Sequence, residues 1–386
     1  MNNKLKIAIY SGDIPSTIFI ERLIKGISNT GNHVYLFGFL KRNVSYNKYV
    51  SVITYRNTKF SKAMHLLKYS SLLYLFKHKE KRALDEILKQ QSQNALHHKV
   101  KCYPVLWHKP DVFHLQWAKG LKDWIWVKQF NIKLVLGLRG AHINYSPVAD
   151  LQLANMYREH FPKVDVFHAV SKAIATEANQ YNAPQDKIKV VYSGLDIKAD
   201  LALDEKLDDV FQIISIGRPH WVKGYTYALD ACKILKQNNL KFKYTIVGCD
   251  DDIELLYQIH DLNLKSEVTL LPQMSFEDVK QNIQSSDLLL LPSVKEGIAN
   301  VVLEAMALGT MVLTTNCGGV REVITDGVDG FLTPIRDSKK MANKILEISN
   351  ATQENKNLIV ANAKKNIRKN HSEKQMVDNM LKLYKS

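Results

Sequence analysis

The chain has 386 residues, 46% hydrophobic and 24% charged, with 17 Gly and 10 Pro. That length suits two domains of roughly 150–200 residues, and the composition excludes collagen-like and low-complexity architectures. The formal net charge of +15 is lopsided: residues 1–200 carry 30 Lys+Arg against 14 Asp+Glu, whereas 201–386 carry 23 against 24. A basic half beside a neutral half points to an anionic partner for one domain: a membrane surface, a nucleic acid or a phosphorylated substrate.

The opening MNNKLKIAIYSGD runs straight into a strand-like stretch and carries no signal-peptide pattern. Predicted strands follow at 6–11, 33–39, 50–55, 112–116, 133–138, 166–170 and 188–192, most of them separated by segments of helical length. Continuous apolar strands alternating with helices indicate a parallel sheet covered on both faces. One segment breaks this alternation. Residues 59–101 carry 10 Lys+Arg against 3 Asp+Glu around the cluster LLYLF at 72–76, and Ala83, Leu84, Ile87 and Leu88 form a narrow helical stripe. Basic residues around exposed apolar groups suit an anionic bilayer surface; a helical hairpin packed on its own domain would carry the same pattern.

The second half repeats the scheme, with strands predicted at 211–217, 244–248, 268–272, 288–292 and 311–315 and helices at 225–236, 254–262, 276–283 and 301–308. The expected fold is α/β, with two consecutive doubly wound domains at 1–196 and 197–370 and a junction near 194–207. A capping pattern at Ser372 and Gln375 opens a terminal helix within 371–386, whose stripe of Met376, Met380, Leu381 and Tyr384 needs a surface to cover. The apolar runs, such as 288–291 and 301–303, fall far short of the ~20 residues a membrane span needs. Cys102, Cys232, Cys249 and Cys317 are widely scattered and lack zinc-ligand spacing. They fit reduced thiols in the cytoplasm. No nucleic-acid-binding signature accompanies the basic half.

The densest pattern is 296–334, EGIANVVLEAMALGTMVLTTNCGGVREVITDGVDGFLTP. Glu296 and Glu304 stand eight apart, followed by GG-x-x-E at 318–322 and DG-x-x-G-F-L at 326–332; upstream lies GRPHWVKGYTYAL at 217–229. Together these resemble the nucleotide-sugar half of the family 4 glycosyltransferases, retaining enzymes of GT-B fold. The resemblance implies two Rossmann-like domains facing a cleft, with the terminal helix crossing back to the first.

A glycosyl donor has a diphosphate leaving group, so its site must hold negative charge and stabilise more as the bond breaks. Arg218 and Lys223, just past a predicted strand end, offer a planar fork and a point charge for phosphate oxygens. Gly297, Ile298, Ala299, Asn300 and Val301 span the opening of a helix whose free N–H groups form an anion site. The resemblance gives Glu296 the transferred sugar's hydroxyls, near the reacting carbon, and Glu304 the ribose hydroxyls. The catalytic candidates are thus Arg218, Lys223 and Glu296. Asp250–Asp252 reads as a helix start rather than a metal motif, and neither a metal nor another cofactor is expected.

The first domain is expected to bind the acceptor, a glycan or a lipid-linked molecule. Its candidates are Gly12 in the turn after the first strand, Arg139 and His142 in LRGAHI, and His114 in DVFHLQW, for which an interior position is the competing reading. LRGAHI departs from the family's H-G-x-D-like segment at both positions. The implied activity is sugar transfer in surface polysaccharide synthesis, on the inner face of the cell membrane. The competing readings are a sugar-nucleotide epimerase of the same fold and a nucleic-acid-binding protein.

Overall fold

The computed structural model describes residues 4–196 and 210–386. It divides into two compact units, Met1–Gly194 with Glu373–Ser386, and Leu195–Ser372. The 196/197 boundary and most of the expected junction at 194–207 lie outside the described residues.

In unit 1, β1 (Lys6–Tyr10), β2 (Gly12–Ile14), β3 (His33–Leu40), β4 (Val50–Tyr55), β5 (Val112–Leu115), β6 (Lys133–Leu138), β7 (Val166–Ala169) and β8 (Ile188–Val190) form a parallel sheet. Across it the order is β4-β3-β1-β5-β6-β7-β8, and β2 extends the line of β1 along β3 with Gly12 opposite Gly38. The chain winds outward from β1 to β4, then returns to the other side of β1. That reversal opens a crevice at the carboxyl ends of β1 and β5, where open α/β sheets receive ligands.

Alternation along β1 sends its side chains to opposite faces. Ile7 and Ile9 pack with Ile20, Leu23, Ile24 and Ile27 of helix α1 (Ile18–Asn29), while Ala8 and Tyr10 pack with Phe113 and Trp124 on the other face. The terminal helix Glu373–Lys385 joins the α1 layer through Met376, Val377, Met380, Leu383 and Tyr384, so its apolar stripe is covered by unit 1.

The basic segment forms three helices, α2 (Lys59–Phe76), α3 (His78–Gln90) and α4 (Leu96–His108). Its two apolar patterns have different fates. Leu84 and Leu88 of α3 are fully buried, as a packed hairpin requires. Among the residues of α2 only Tyr69 and Leu73 are buried, and Phe60, Met64, Leu67 and Tyr74 stay between 52% and 76% exposed. Their spacing of four, three and seven puts them on one helical face.

In unit 2, β9 (Phe211–Ile216), β10 (Phe242–Val247), β11 (Val268–Leu271), β12 (Leu288–Leu291), β13 (Met311–Thr315) and β14 (Phe331–Thr333) form a parallel sheet in the order β11-β10-β9-β12-β13-β14. This is the doubly wound order with its reversal between β9 and β12. Two short strands, β2 and β14, escaped the sequence reading, which also assigned no element to the helices Ser338–Asn350 and Gln353–Asn370.

Unit 1 buries several histidines. Burial lowers His168 to about 3 and His65, His108 and His142 to about 4, and it pushes His114 well below its ordinary value. Between pH 6.5 and 4 the unfolded chain therefore takes up protons that the folded chain refuses. Stability is fully present above pH 6.5 and falls as the pH drops. His114 and His168, 0% and 5% exposed, should each remove up to about 1.4 kcal/mol per pH unit. Denaturant unfolding at pH 7 and pH 5, a window in which exposed carboxylates stay ionised, checks this; equal midpoints would contradict it.

Candidate functional site

The reversal in unit 2 brings together the loops after β9 and β12. Gly217 and Arg218 leave the end of β9, and Arg218 is exposed there. A short 3-10 turn at Trp221–Lys223 carries the lysine back over the sheet, and His220 accepts the Val222 N–H at its start. Lys223 Nζ donates to Glu296 Oε1 at 2.7 Å, with the two side chains 18% and 17% exposed. Ser293 Oγ donates to the same oxygen at 3.2 Å. Glu296 is thus held from two sides, with one carboxylate oxygen outside this pairing.

The backbone fixes the pair. Val294 N–H donates to Val222 O at 2.8 Å, and Gly319 N–H to Gly297 O at 2.7 Å, tying the loops after β9, β12 and β13 together. Gly224 sits so close to the Pro292 carbonyl that a Cβ would collide with it. Gly318, at φ +54°, lies equally close to the Glu296 carbonyl. The glycine pair at 318–319 therefore packs under Glu296.

The helix Asn300–Leu308 starts one residue before its predicted position. Gly297 and Ala299 are buried, Ile298, Asn300, Val301 and Glu304 are half-buried, and Asn300 Oδ1 is enclosed without a hydrogen-bond partner. The segment thus presents helix N-terminal N–H groups beside the Lys223–Glu296 pair, a setting suited to an anion. Asp252 accepts the Leu255 N–H at 2.9 Å and caps the helix Ile253–Asp261.

In unit 1, Arg139 follows β6 and donates to Gln116 Oε1 at 2.7 Å, its guanidinium 4.5 Å from the centre of the Phe19 ring. Burial lowers its pKa to about 10, so it stays cationic at neutral pH. Trp117 stacks at a tilt 5.4 Å from His142, and its indole N–H donates to Ser11 O at 3.0 Å, beside Gly12. His142, lowered to about 4 by burial and then by Lys119 and Arg139, is neutral at pH 7. Gly12, Arg139 and His142 are therefore gathered around the crevice between β1 and β5.

His114 lies elsewhere. It is wholly buried, and its Nδ1 is 2.8 Å from the Tyr384 hydroxyl of the terminal helix. That is the interior position set against the ligand reading: the side chain points into the layer shared with the terminal helix. Sequence reasoning overlooked Gln116, Trp117 and Phe19. The signal was present in DVFHLQW, whose last two residues stand just past a strand end.

Gly318→Ala should destabilise the chain by about 2 kcal/mol or more, because a left-handed conformation and a backbone collision combine. Gly327→Ala, also at positive φ but with open space around the new Cβ, should cost roughly 1 kcal/mol. Thermal unfolding of both variants checks the contrast, and equal losses would remove the packing role of Gly318.

With the geometry in hand, comparisons place the chain. Residues 17–199 match the family model described as Glycosyltransferase Family 4, and residues 198–366 match Glycosyl transferases group 1. The chain is similar to the amylovoran biosynthesis glycosyltransferase AmsK of Erwinia amylovora, at 30% identity over 55% of this chain and 56% of that protein. It is also similar to the N,N'-diacetylbacillosaminyl-diphospho-undecaprenol alpha-1,3-N-acetylgalactosaminyltransferase of Campylobacter jejuni, at 26% identity over 62% and 65%. The chain spans about half the length of the first curated relatives it matches. Among solved structures it resembles Anabaena HepE in complex with UDP and glucose, with a TM-score of 0.73 at 19% identity over 99% of both chains. It likewise resembles the sucrose-phosphate synthase of Thermosynechococcus elongatus, with a TM-score of 0.77 at 16% identity over 99% and 98%. At these identities the structural likeness speaks to fold. Two family models that between them run from residue 17 to 366, on a pair of parallel doubly wound sheets, establish that the chain belongs to the family 4 glycosyltransferases of GT-B fold.

Proposed function

We propose that the protein is a retaining glycosyltransferase. It moves a sugar from a nucleotide-sugar donor to a glycan or a lipid-linked acceptor in the synthesis of a surface polysaccharide. The observation that carries this reading is the Lys223–Glu296 pair, 2.7 Å apart at the reversal of the unit 2 sheet, with Arg218 beyond it. An ammonium has three protons, and Glu296 uses one of them. The others reach a diphosphate bound over the loop, joined by Arg218 and the N–H groups that open the Asn300–Leu308 helix. Glu296, braced by Lys223 and Ser293, is oriented to accept hydrogen bonds from the sugar, and Glu304 from the ribose.

The acceptor hydroxyl attacks the anomeric carbon on the face from which the diphosphate leaves. The bond from that carbon to the diphosphate oxygen breaks, and a diphosphate oxygen takes the hydroxyl proton. Arg218, Lys223 and the helix N-terminus stabilise the charge that grows on the leaving group. On the acceptor side, Arg139 supplies a cation and Trp117 and His142 a stacking surface, near Gly12. UDP in a structural neighbour and a diphospho-undecaprenol substrate in a relative's name support these substrate classes.

Lys223→Ala should lower turnover by on the order of 10²–10³; undiminished turnover would end the phosphate role. Wild-type protein should gain thermal stability from one member of a UDP-, GDP- and ADP-sugar panel. Product analysis should then give a glycosidic bond with the donor's anomeric configuration. Release of an isomerised donor would instead support the epimerase.

The membrane part of the proposal rests on α2. No helix among the described residues is long and apolar enough to cross a membrane, but α2 exposes Phe60, Met64, Leu67 and Tyr74 along one face, and its charged residues are Lys59, Lys62 and Lys68, with no acid. Such a face suits the cytoplasmic surface of an anionic bilayer. Co-sedimentation with vesicles rich in phosphatidylglycerol at low salt should exceed that with phosphatidylcholine alone, and Phe60→Ser with Leu67→Ser should lower it at least fivefold. No preference for the anionic vesicles would remove this part.

A further inference from the structure

A basic cavity lies in unit 1, at the carboxyl ends of β3 and β4. Its volume is about 310 Å³, and it is lined by Phe39, Tyr55, Asn57, Lys62, His97, Val100 and Lys101. Phe39 and Tyr55 stand at the carboxyl ends of β3 and β4, the edge at which open α/β sheets receive ligands. Lys62 comes from α2, and His97, Val100 and Lys101 from α4. The basic segment thus closes a pocket over the end of the sheet.

The lining has a marked chemical bias. It contains two ammonium groups, an imidazole, a phenol and an amide, and no carboxylate. Lys62 Nζ donates to Asn57 Oδ1 at 2.7 Å, which engages one of its three protons. The Lys101 ammonium has no ion pair or hydrogen bond among the described residues. Carboxylates of the surrounding elements are engaged elsewhere: Asp13 with Lys41 at 2.9 Å, and Asp85 with Lys81 at 2.8 Å and Lys99 at 3.0 Å. Burial, and after it the charge of the nearby Asp13 carboxylate, raises the pKa of Tyr55, which therefore stays a hydroxyl donor at neutral pH. Two like charges facing one cavity repel each other, and an anion between them would relieve that repulsion. The volume is at the small end of ligand sites and accommodates a phosphate or diphosphate carrying a short attachment.

We propose that this cavity is a binding site for a phosphate or diphosphate group, with Lys62 and Lys101 as its cations and Tyr55, Asn57 and His97 as further hydrogen-bonding partners. The inference rests on the reading of unit 1 as the acceptor-binding half and deepens it. It assigns the acceptor a phosphoryl group, and it gives the basic segment a recognition role in addition to surface charge.

The test uses the full chain carrying Arg218→Gln with Lys223→Gln, which removes both side-chain cations proposed to hold the diphosphate in unit 2. Calorimetry with inorganic pyrophosphate should show binding that Lys62→Gln with Lys101→Gln weakens at least tenfold. Lys79→Gln with Lys89→Gln removes two charges from exposed positions of α3 outside the cavity and should change it less than twofold. Equal losses in the two double variants, or no binding at all, would overturn the proposal. A second arm uses phosphatidylcholine vesicles with a fifth of phosphatidate. Competition between pyrophosphate and vesicle binding assigns the phosphate to a lipid headgroup, whereas pyrophosphate binding without competition assigns it to a soluble molecule; both support the site. Donor stabilisation by the sugar-nucleotide panel is read separately on wild-type protein. Failure of the transferase reading with intact pyrophosphate binding is therefore distinguishable from failure of the cavity.

Discussion

An ammonium and a carboxylate held 2.7 Å apart at the reversal of the unit 2 sheet organise the rest of the candidate site. Both groups are mostly withdrawn from water, so leaving either unpaired would be costly. The partners come from loops after two different strands, β9 and β12. They meet because the doubly wound order places those strands side by side although some 70 residues separate them in the chain. The loops can approach only through glycine: Gly224 admits the Pro292 carbonyl, and Gly318 admits that of Glu296. The glycine-rich texture of the 296–334 stretch thus has a packing origin as well as a chemical one. On the proposed mechanism, this preorganisation lets Lys223 and Arg218 meet charge growing on a leaving group without first rearranging.

Unit 1 obeys the same topology with different chemistry. Its reversal gathers Trp117, Phe19, Arg139 and His142, an aromatic and cationic group without the acid–base pair of unit 2. Its interior is held partly by the terminal helix, whose Tyr384 reaches His114 from a sequence distance of 270 residues. Neutral buried histidines link this packing to pH, since protonating them requires taking a charge into the interior. The basic segment joins a packed layer through α3 to a helix, α2, that keeps most of its apolar face in solvent.

Much of this was legible in the chain. Alternation of apolar strands and helical segments gave two parallel α/β sheets, because a strand buried on both faces must be apolar throughout. Arg218 and Lys223 stood out because they follow a strand end, where this topology exposes backbone and cations together, whereas Glu296 and Glu304 stood out through the motif resemblance. The three-residue strands β2 and β14 were not legible, since GDI and FLT sit beside turn residues, whereas the equally short β8 lies in the longer apolar run IKVVY. His114 was ambiguous for the same reason that α2 and α3 were: a sequence shows that a residue is polar or that a stripe is apolar, but not what lies opposite.

Sequence alone determined the layer architecture, the charge asymmetry and the residue types available to the proposed donor site, all of which follow from local patterning and composition. Tertiary structure decided which of those residues meet. It paired Lys223 with Glu296, turned His114 inward toward Tyr384, buried the stripe of α3 while leaving that of α2 exposed, and set Lys62 and Lys101 around one cavity. Such outcomes depend on long-range approach between separate elements, and the register and winding order of a sheet fix that approach rather than the spacing along the chain.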